Sequence, residues 1–248
     1  MTAPDLSVVV PAFNEEARLP AMLQSTVDYL GTRELGFEVL VVDDGSTDRT
    51  SRVVGEVSTR TPEVRVIRLD HNQGKGHAVR TGVFETSGRL VLFADADGAT
   101  PMTELERLDR AIAAGADIAI GSRALTADGV RLDVRWYRRA IGWVFRAFVG
   151  LLGTRGIGDT QCGFKLFKGS VARDLFSRSR VDGFAFDVEI LMLAQRQGLS
   201  IAEVPVNWAH QDGSRINLAT DSLRMLRDLV KIRVGVILDR NPRVRSEG

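Results

Sequence analysis

Along the first 120 positions, apolar residues fall in short continuous runs separated by longer amphipathic stretches. The runs LSVVVPA at 6–12 and FEVLVV at 37–42 are short and rich in β-branched residues, which predicts buried strands that end in loops. Between them Leu19, Met22, Leu23, Val27 and Leu30 recur at helical spacing, predicting a helix from Glu15 to Tyr29. The alternation continues with a helix capped by Ser46 or Thr47 and reaching about Ser58, a strand Val64–Leu69, a helix Gly76–Thr86 and a strand Arg89–Ala94. A helix over 101–114 and a strand over 116–120 follow. Strands alternating with helices predict an α/β chain: a mostly parallel sheet flanked by helices, its strand C-termini gathered along one edge. Any ligand site belongs on that edge.

Beyond Gly121 the pattern changes to basic or glycine-rich connectors, an aromatic helix over 134–152, a loop over 153–163, a helix over 185–197 and a terminal helix over 217–238. In the helices 134–152 and 217–238, arginines interrupt the aromatic, leucine and valine positions, so neither offers the roughly 20 apolar residues needed to cross a bilayer. Such amphipathic helices suit a headgroup boundary, and equally suit packing on the core or on another subunit. No repeat or linker divides the chain, so residues 1–248 are read as one domain with halves 1–122 and 123–248.

Composition sharpens this division. The net charge of +1 conceals 12 basic and 19 acidic residues over 1–120 (−7) against 21 basic and 13 acidic over 121–248 (+8). A basic second half suits an anionic partner such as a phosphate or a lipid headgroup surface. Cys162 is the sole cysteine, which excludes an intrachain disulfide and a multi-cysteine zinc site. The N-terminal stretch has no basic leader, apolar run or small-residue cleavage site, so the expected location is cytoplasmic.

Candidate chemistry clusters at the strand ends. Asp95 and Asp97 follow the fourth strand two residues apart, a spacing that in extended backbone turns both carboxylates toward one hard cation, Mg²⁺ or Mn²⁺. At Asp43-Asp44-Gly45-Ser46 one carboxylate can accept from a pyrimidine base or ribose while the other caps the next helix, and a plain capping turn accounts for the same residues. Asn14 or Glu15, after the first strand, can hydrogen-bond a nucleoside, or simply begin a helix with acidic residues in its first turn. Asn72-Gln73-Gly74-Lys75-Gly76 offers backbone N–H groups and one ammonium to a phosphate, without the spacing of a Walker loop. No GxGxxG follows a predicted strand, which argues against a nicotinamide enzyme.

The segments VVVPAFNEE, VVDDGSTD, NQGKGHAVRTG and ADADG, in this order, resemble the nucleotide-sugar domain of inverting family 2 glycosyltransferases of the Rossmann-like GT-A fold. GSR at 121–123, DTQCGFK at 159–165, FAFDVE at 184–189, VPVNW at 204–208 and GSR at 213–215 are similar to the branch that glucosylates dolichyl phosphate, more than to its mannosyl counterpart. The resemblance covers roughly residues 6–235. It implies a nucleotide-sugar-binding half at 1–122 and an acceptor-binding half at 123–248. Pro11, Ala12, Asn14, Glu15, Asp43, Lys75, Asp95 and Ala96 are implied at the nucleotide, and Asp95 and Asp97 at the metal. Arg123, Arg135, Arg138, Arg139 and Arg215 are implied at the acceptor phosphate; Arg215 stands where relatives usually carry lysine. Asp97, Arg123 and Asp187 are implied at the reaction centre. The implied partners are UDP-glucose, a polyprenyl or dolichyl phosphate and the cytoplasmic face of a membrane held peripherally, with no nucleic acid.

Asp187 and Glu189 are the candidates for a general base, or else begin a core helix. A sugar hydroxyl acceptor needs deprotonation, whereas a phosphate monoester is already anionic at neutral pH. Rival readings are a GDP-mannose donor, a hydroxyl acceptor, and a regulator that binds nucleotide sugar without catalysis.

Overall fold

A computed structural model describes residues 3–125, 154, 156–209, 227–229 and 232. The described strands are β1 (Leu6–Ala12), β2 (Phe37–Asp43), β3 (Val64–Arg68), β4 (Leu90–Ala94), β5 (Ile118–Ser122), β6 (Phe164–Lys168) and β7 (Ile201–Pro205). The described helices are α1 (Leu19–Gly31), α2 (Thr50–Ser58), α3 (Lys75–Phe84), α4 (Leu105–Ala113), α5 (Gly169–Arg178) and α6 (Phe186–Arg196), with a 3₁₀ turn at Met102–Glu104. The strands form one sheet in the order β3-β2-β1-β4-β6-β5-β7. Its neighbours pair in parallel except around β6, which runs antiparallel to both β4 and β5.

Alternation along each strand builds two cores. Val8, Val10, Leu92 and Ala119 face α1 and α4, where Leu19, Leu23, Leu105, Leu108 and Ile112 lie at helical spacing. Val9, Val91, Phe93 and Ile120 face the other way, against Val79 and Val83 of α3, Leu175 and Phe176 of α5 and Phe186 and Ile190 of α6. Both faces being covered explains why the strands read as continuous apolar runs. Leu229 and Ile232 pack on Ala185, Val188 and Met192.

The structure adjusts the sequence expectations at specific places. The first helix begins at Leu19, not Glu15. Asn14 takes a left-handed conformation (φ 55°), residues 15–18 form a turn, and Pro20, which lacks an N–H, is tolerated only in a first helical turn. The 164–178 segment, not predicted as an element, forms β6 and α5, and 201–205 forms β7. The aromatic helix over 134–152 and most of the helix over 217–238 lie outside the described residues. Among the described residues no helix is long and apolar enough to cross a membrane.

The C-terminal ends of β1, β2, β3, β4 and β5 share one edge of the sheet. Because β6 is antiparallel, Gly163 and Cys162 reach the same edge from its N-terminal end.

Candidate functional site

The end of β4 is shaped by its neighbour. Asp95 N donates to Gly163 O at 2.9 Å, prolonging the β4–β6 ladder by one bond, and the Asp95 carboxylate then lies over Gly163. A Cβ on Gly163 would fall inside contact distance of all three carboxyl atoms of Asp95, so any side chain there would displace that carboxylate. The chain turns after Asp95, and Asp97 Oδ1 accepts Ala99 N at 3.0 Å. Extended backbone therefore ends before Asp97, yet the two carboxylates remain neighbours. Burial raises the Asp97 pKa and the Asp95 charge raises it further. Asp95 Oδ1 is buried without a hydrogen bond and meets the Lys75 ammonium in an ion pair of 2.7 Å.

Two carboxylates close enough that the charge of one raises the pKa of the other, with Lys75 offsetting only part of that repulsion, fit a hard divalent cation. Among the described residues no third His, Cys, Asp or Glu completes a protein cage. An ion held here would fill its shell with ligand oxygens and water, as Mg²⁺ usually does.

Asp95, Ala96 and Asp97 line a cavity of about 350 Å³ together with Pro11, Ala12, Glu15, Asp44 and Lys75. Phe13 and Phe184 also line it, and each is more than one-third exposed. Of the residues expected at the nucleotide, Pro11, Ala12, Glu15, Lys75, Asp95 and Ala96 are therefore brought together.

Asn14 and Asp43 are not on the cavity wall. Asn14 Oδ1 accepts Thr47 N at 2.8 Å, and Asn14 N donates to Ser46 Oγ at 2.8 Å, so this side chain ties the turn after β1 to that after β2. Asp43 is fully buried; its Oδ1 accepts Ser46 N at 2.9 Å and its Oδ2 accepts the Ser51 hydroxyl. Asp44, the neighbour, lines the cavity instead, because Asp43 completes β2 and the next side chain turns to the sheet edge.

One further residue went unnoticed in the sequence. Arg18 lines the cavity and forms a fork on Glu15, with Nε–Oε2 at 2.7 Å and Nη2–Oε1 at 2.5 Å. Glu15 raises its pKa despite burial, and Asp97 and Asp95 add to the effect, which places this cation beside the acidic pair. The signal was an arginine one helical turn after an acidic residue at a strand end.

The glycine-rich loop before α3 is not a backbone phosphate cradle. Gln73 N and Gly74 N donate to the two oxygens of Asp44 at 2.7 and 2.9 Å, while Gly76 N and His77 N donate to Asp182 O at 2.7 and 3.2 Å. With these amides engaged, Lys75 is what the loop contributes. Burial works against its ammonium, but Asp95 and Asp187 outweigh that and its pKa is raised.

Behind Lys75 lies a second pair. Lys165 Nζ meets Asp187 Oδ1 at 2.5 Å and also donates to Cys162 O at 2.5 Å, with both side chains almost wholly buried. Burial raises the Asp187 pKa against the pull of Lys165 and Lys75. Glu189 is structural: its carboxylate accepts Ser179 Oγ at 2.9 Å, Arg180 N at 3.0 Å and Val181 N at 2.9 Å. Cys162 is buried, and burial pushes its thiol up to about 12, far from a nucleophile.

Arg123 follows β5 and is gripped by Asp159, with Nε–Oδ2 at 2.7 Å and Nη2–Oδ1 at 2.9 Å, while its guanidinium carbon lies 5.6 Å from the Trp208 ring centre. It does not line the cavity described above. Arg135, Arg138, Arg139 and Arg215 lie outside the described residues.

The model of the family described as glycosyl transferase family 2 matches residues 7–176. The chain is 43% identical over 241 residues to the dolichyl-phosphate beta-glucosyltransferase of Drosophila melanogaster, covering 92% of this chain and 74% of that protein. It is 41% identical over 242 residues to the Homo sapiens protein of that name, covering 92% and 75%. The crystal structure of glucosyl-3-phosphoglycerate synthase from Mycobacterium tuberculosis in complex with UDP superposes with a TM-score of 0.69 at 22% identity, covering 93% of this chain and 80% of the other. A complex of that protein with Mn²⁺, UDP-glucose and phosphoglyceric acid gives 0.68 at 20% identity, with the same coverage. At these identities the structural likeness establishes the fold.

Proposed function

The chain belongs to glycosyl transferase family 2, and on that premise we propose that it transfers glucose from UDP-glucose to dolichyl phosphate or a related polyprenyl phosphate, inverting the anomeric carbon. One observation carries this reading: Glu15, Asp44, Lys75 and the Asp95–Asp97 pair, drawn from four separate turns, line a single cavity. Its size is in the range of small-molecule sites. The dolichyl-phosphate glucosyltransferases named above support the substrates.

Asp95 and Asp97 would hold Mg²⁺ or Mn²⁺, which when bound neutralises charge on the leaving diphosphate. Lys75 adds an ammonium from the floor and Arg18 a guanidinium from the wall. Glu15 and Asp44 already accept from Arg18 and from Gln73 N and Gly74 N, and their remaining lone pairs are the acceptors for a base or ribose, while Phe13 and Phe184 offer ring faces at the exposed rim. The acceptor phosphate meets Arg123, with Arg135, Arg138, Arg139 and Arg215 as further cations from the second half. A phosphate oxygen attacks the anomeric carbon as the bond to UDP breaks, and UDP leaves with the electron pair. An acceptor already anionic needs no base, which agrees with an Asp187 carboxylate committed to Lys165. The reaction would take place at the cytoplasmic face of a membrane, with the protein bound peripherally.

Radiolabelled UDP-glucose and GDP-mannose, each offered with and without a polyprenyl phosphate, test this. Label should enter the organic phase from UDP-glucose, only with the lipid phosphate, and EDTA or Asp97→Asn should abolish transfer while the unfolding midpoint of the variant stays near wild type. Label from GDP-mannose alone would replace the donor, and transfer to a soluble hydroxyl would replace the acceptor.

A further inference from the structure

Arg123 is held in place from outside the cavity by residues of β7 and of the loop before β6. Asp159 takes three of its donors: the fork from Nε and Nη2 and, at 2.9 Å, its backbone N–H. Nη1 makes no hydrogen bond among the described residues. Burial opposes the Arg123 charge and Asp159 more than offsets it, so the guanidinium is firmly cationic.

Asp159 is itself held by Glu203. Glu203 Oε1 accepts Asp159 N at 2.9 Å and the Ser122 hydroxyl at 2.6 Å, and Oε2 accepts Gly158 N at 2.9 Å. Ser122 Oγ in turn accepts Ala124 N at 3.1 Å. One carboxylate thus fastens the residues on either side of Arg123 and the residue that grips it. A Cβ on Gly158 would lie 3.2 Å from Glu203 Oε1 and 3.4 Å from Ala124 Cβ, so the loop rests directly on this carboxylate. Three donors converging on one side chain call for an acceptor-only group, and a glutamine would turn an N–H₂ toward at least one of them. The same stretch of chain, five residues later, supplies Trp208 beneath the guanidinium.

We propose that Glu203 and Asp159 are positioning residues that fix the plane of Arg123, leaving Nη1 as the donor for the acceptor phosphate. This rests on the role given to Arg123 above. It adds that affinity for the acceptor is set by residues that never touch it, because an arginine already ordered loses less side-chain freedom on binding.

The full-length protein carrying Glu203→Gln, Asp159→Asn or Arg123→Ala, and the double variant of Glu203→Gln with Arg123→Ala, would be assayed with a short-chain polyprenyl phosphate in detergent at saturating UDP-glucose. UDP binding would be titrated separately, and exchange of the Arg123 Nε–H proton followed by NMR. Glu203→Gln should raise the acceptor KM about tenfold, the size expected for loosening charged hydrogen bonds, with UDP affinity kept within about twofold. Arg123 Nε–H exchange should quicken, and adding Arg123→Ala should raise KM no further than Arg123→Ala alone. Additive effects in the double variant, an unchanged exchange rate, or equal losses of UDP and acceptor affinity would overturn the proposal. Should Glu203→Gln fail to fold, Asp159→Asn is held to the same exchange and KM criteria. If exchange quickens while Arg123→Ala leaves the acceptor KM unchanged, the positioning stands and the acceptor role of Arg123 falls.

Discussion

Lys165 and Asp187 form a close ion pair with side chains 2% and 4% exposed, stitched further to Cys162 O. Removing one member strands a buried charge, at a cost of about 3–5 kcal/mol, whereas an apolar pair of similar volume can be nearly neutral. Lys165→Met is therefore expected to lower unfolding free energy by about 3–5 kcal/mol in chemical denaturation, and adding Asp187→Leu should recover much of the loss. Asp159 predicts a pH dependence. Burial alone would raise its pKa, but the Arg123 charge and hydrogen bonds prevail and lower it. A depressed carboxylate pKa stabilises the fold fully above the unfolded value of about 3.9, and that stability is lost as pH falls through the folded value. Urea midpoints measured from neutral pH downward should fall less steeply below about pH 4 in Asp159→Asn than in wild type. At this scale the acidic pair was legible because spacing after an apolar run is local information. The exchange of roles between Asp43 and Asp44 was not, since it depends on which residue last belongs to the ladder with β1 and β3.

Among elements, β6 decides most about the site. It is inserted antiparallel between β4 and β5, and its leading residues Cys162 and Gly163 meet the turn that carries Asp95 and Asp97. Gly163→Ala should displace the Asp95 carboxylate, cutting Mn²⁺ affinity in the presence of UDP at least about tenfold and costing about 1–3 kcal/mol of stability from overpacking. A Mn²⁺ titration by electron paramagnetic resonance, paired with a denaturation curve, checks both. β1, β2 and β4 were visible as apolar runs. In β6 and β7 the charged residues Lys165 and Glu203 interrupt that signal, and the partners that permit their burial, Asp187 and the 158–159 loop, are distant in the chain. The α3 N-terminus failed as a phosphate cradle for a similar reason. Asp44 and Asp182, remote in sequence, take its amides.

On the scale of the whole molecule, β6 and β7 of the second half join the sheet that the first half builds, and the sequence divides its charge between those halves. The negative half carries the carboxylates that a bound cation would neutralise, as it would the charge of a nucleotide diphosphate, while the +8 half holds the arginines proposed for the lipid phosphate. On the proposed peripheral attachment, positive charge in that half would act on anionic surfaces within a Debye length, about 10 Å at 0.1 M salt. Flotation with vesicles containing anionic phospholipid should recover the protein at low salt and release it as salt rises toward 0.5 M. Recovery wholly in the soluble fraction at low salt would contradict peripheral attachment.

Taken alone, the sequence determined the α/β class, the first five strands, the edge along which the cavity lies, and the acidic pair that lines it. Each of these follows from periodicity and short-range spacing, which the covalent chain carries directly. Tertiary structure decided what long-range contacts decide: that Asn14, Asp43 and Glu189 bind the scaffold, that Arg18 and Asp44 face the cavity, and that Glu203 reaches Arg123 through Asp159. A side chain's role depends on which donors and charges come within about 3 Å of it. For these residues, those partners lie on other elements, brought near by the packing of one sheet against its helices.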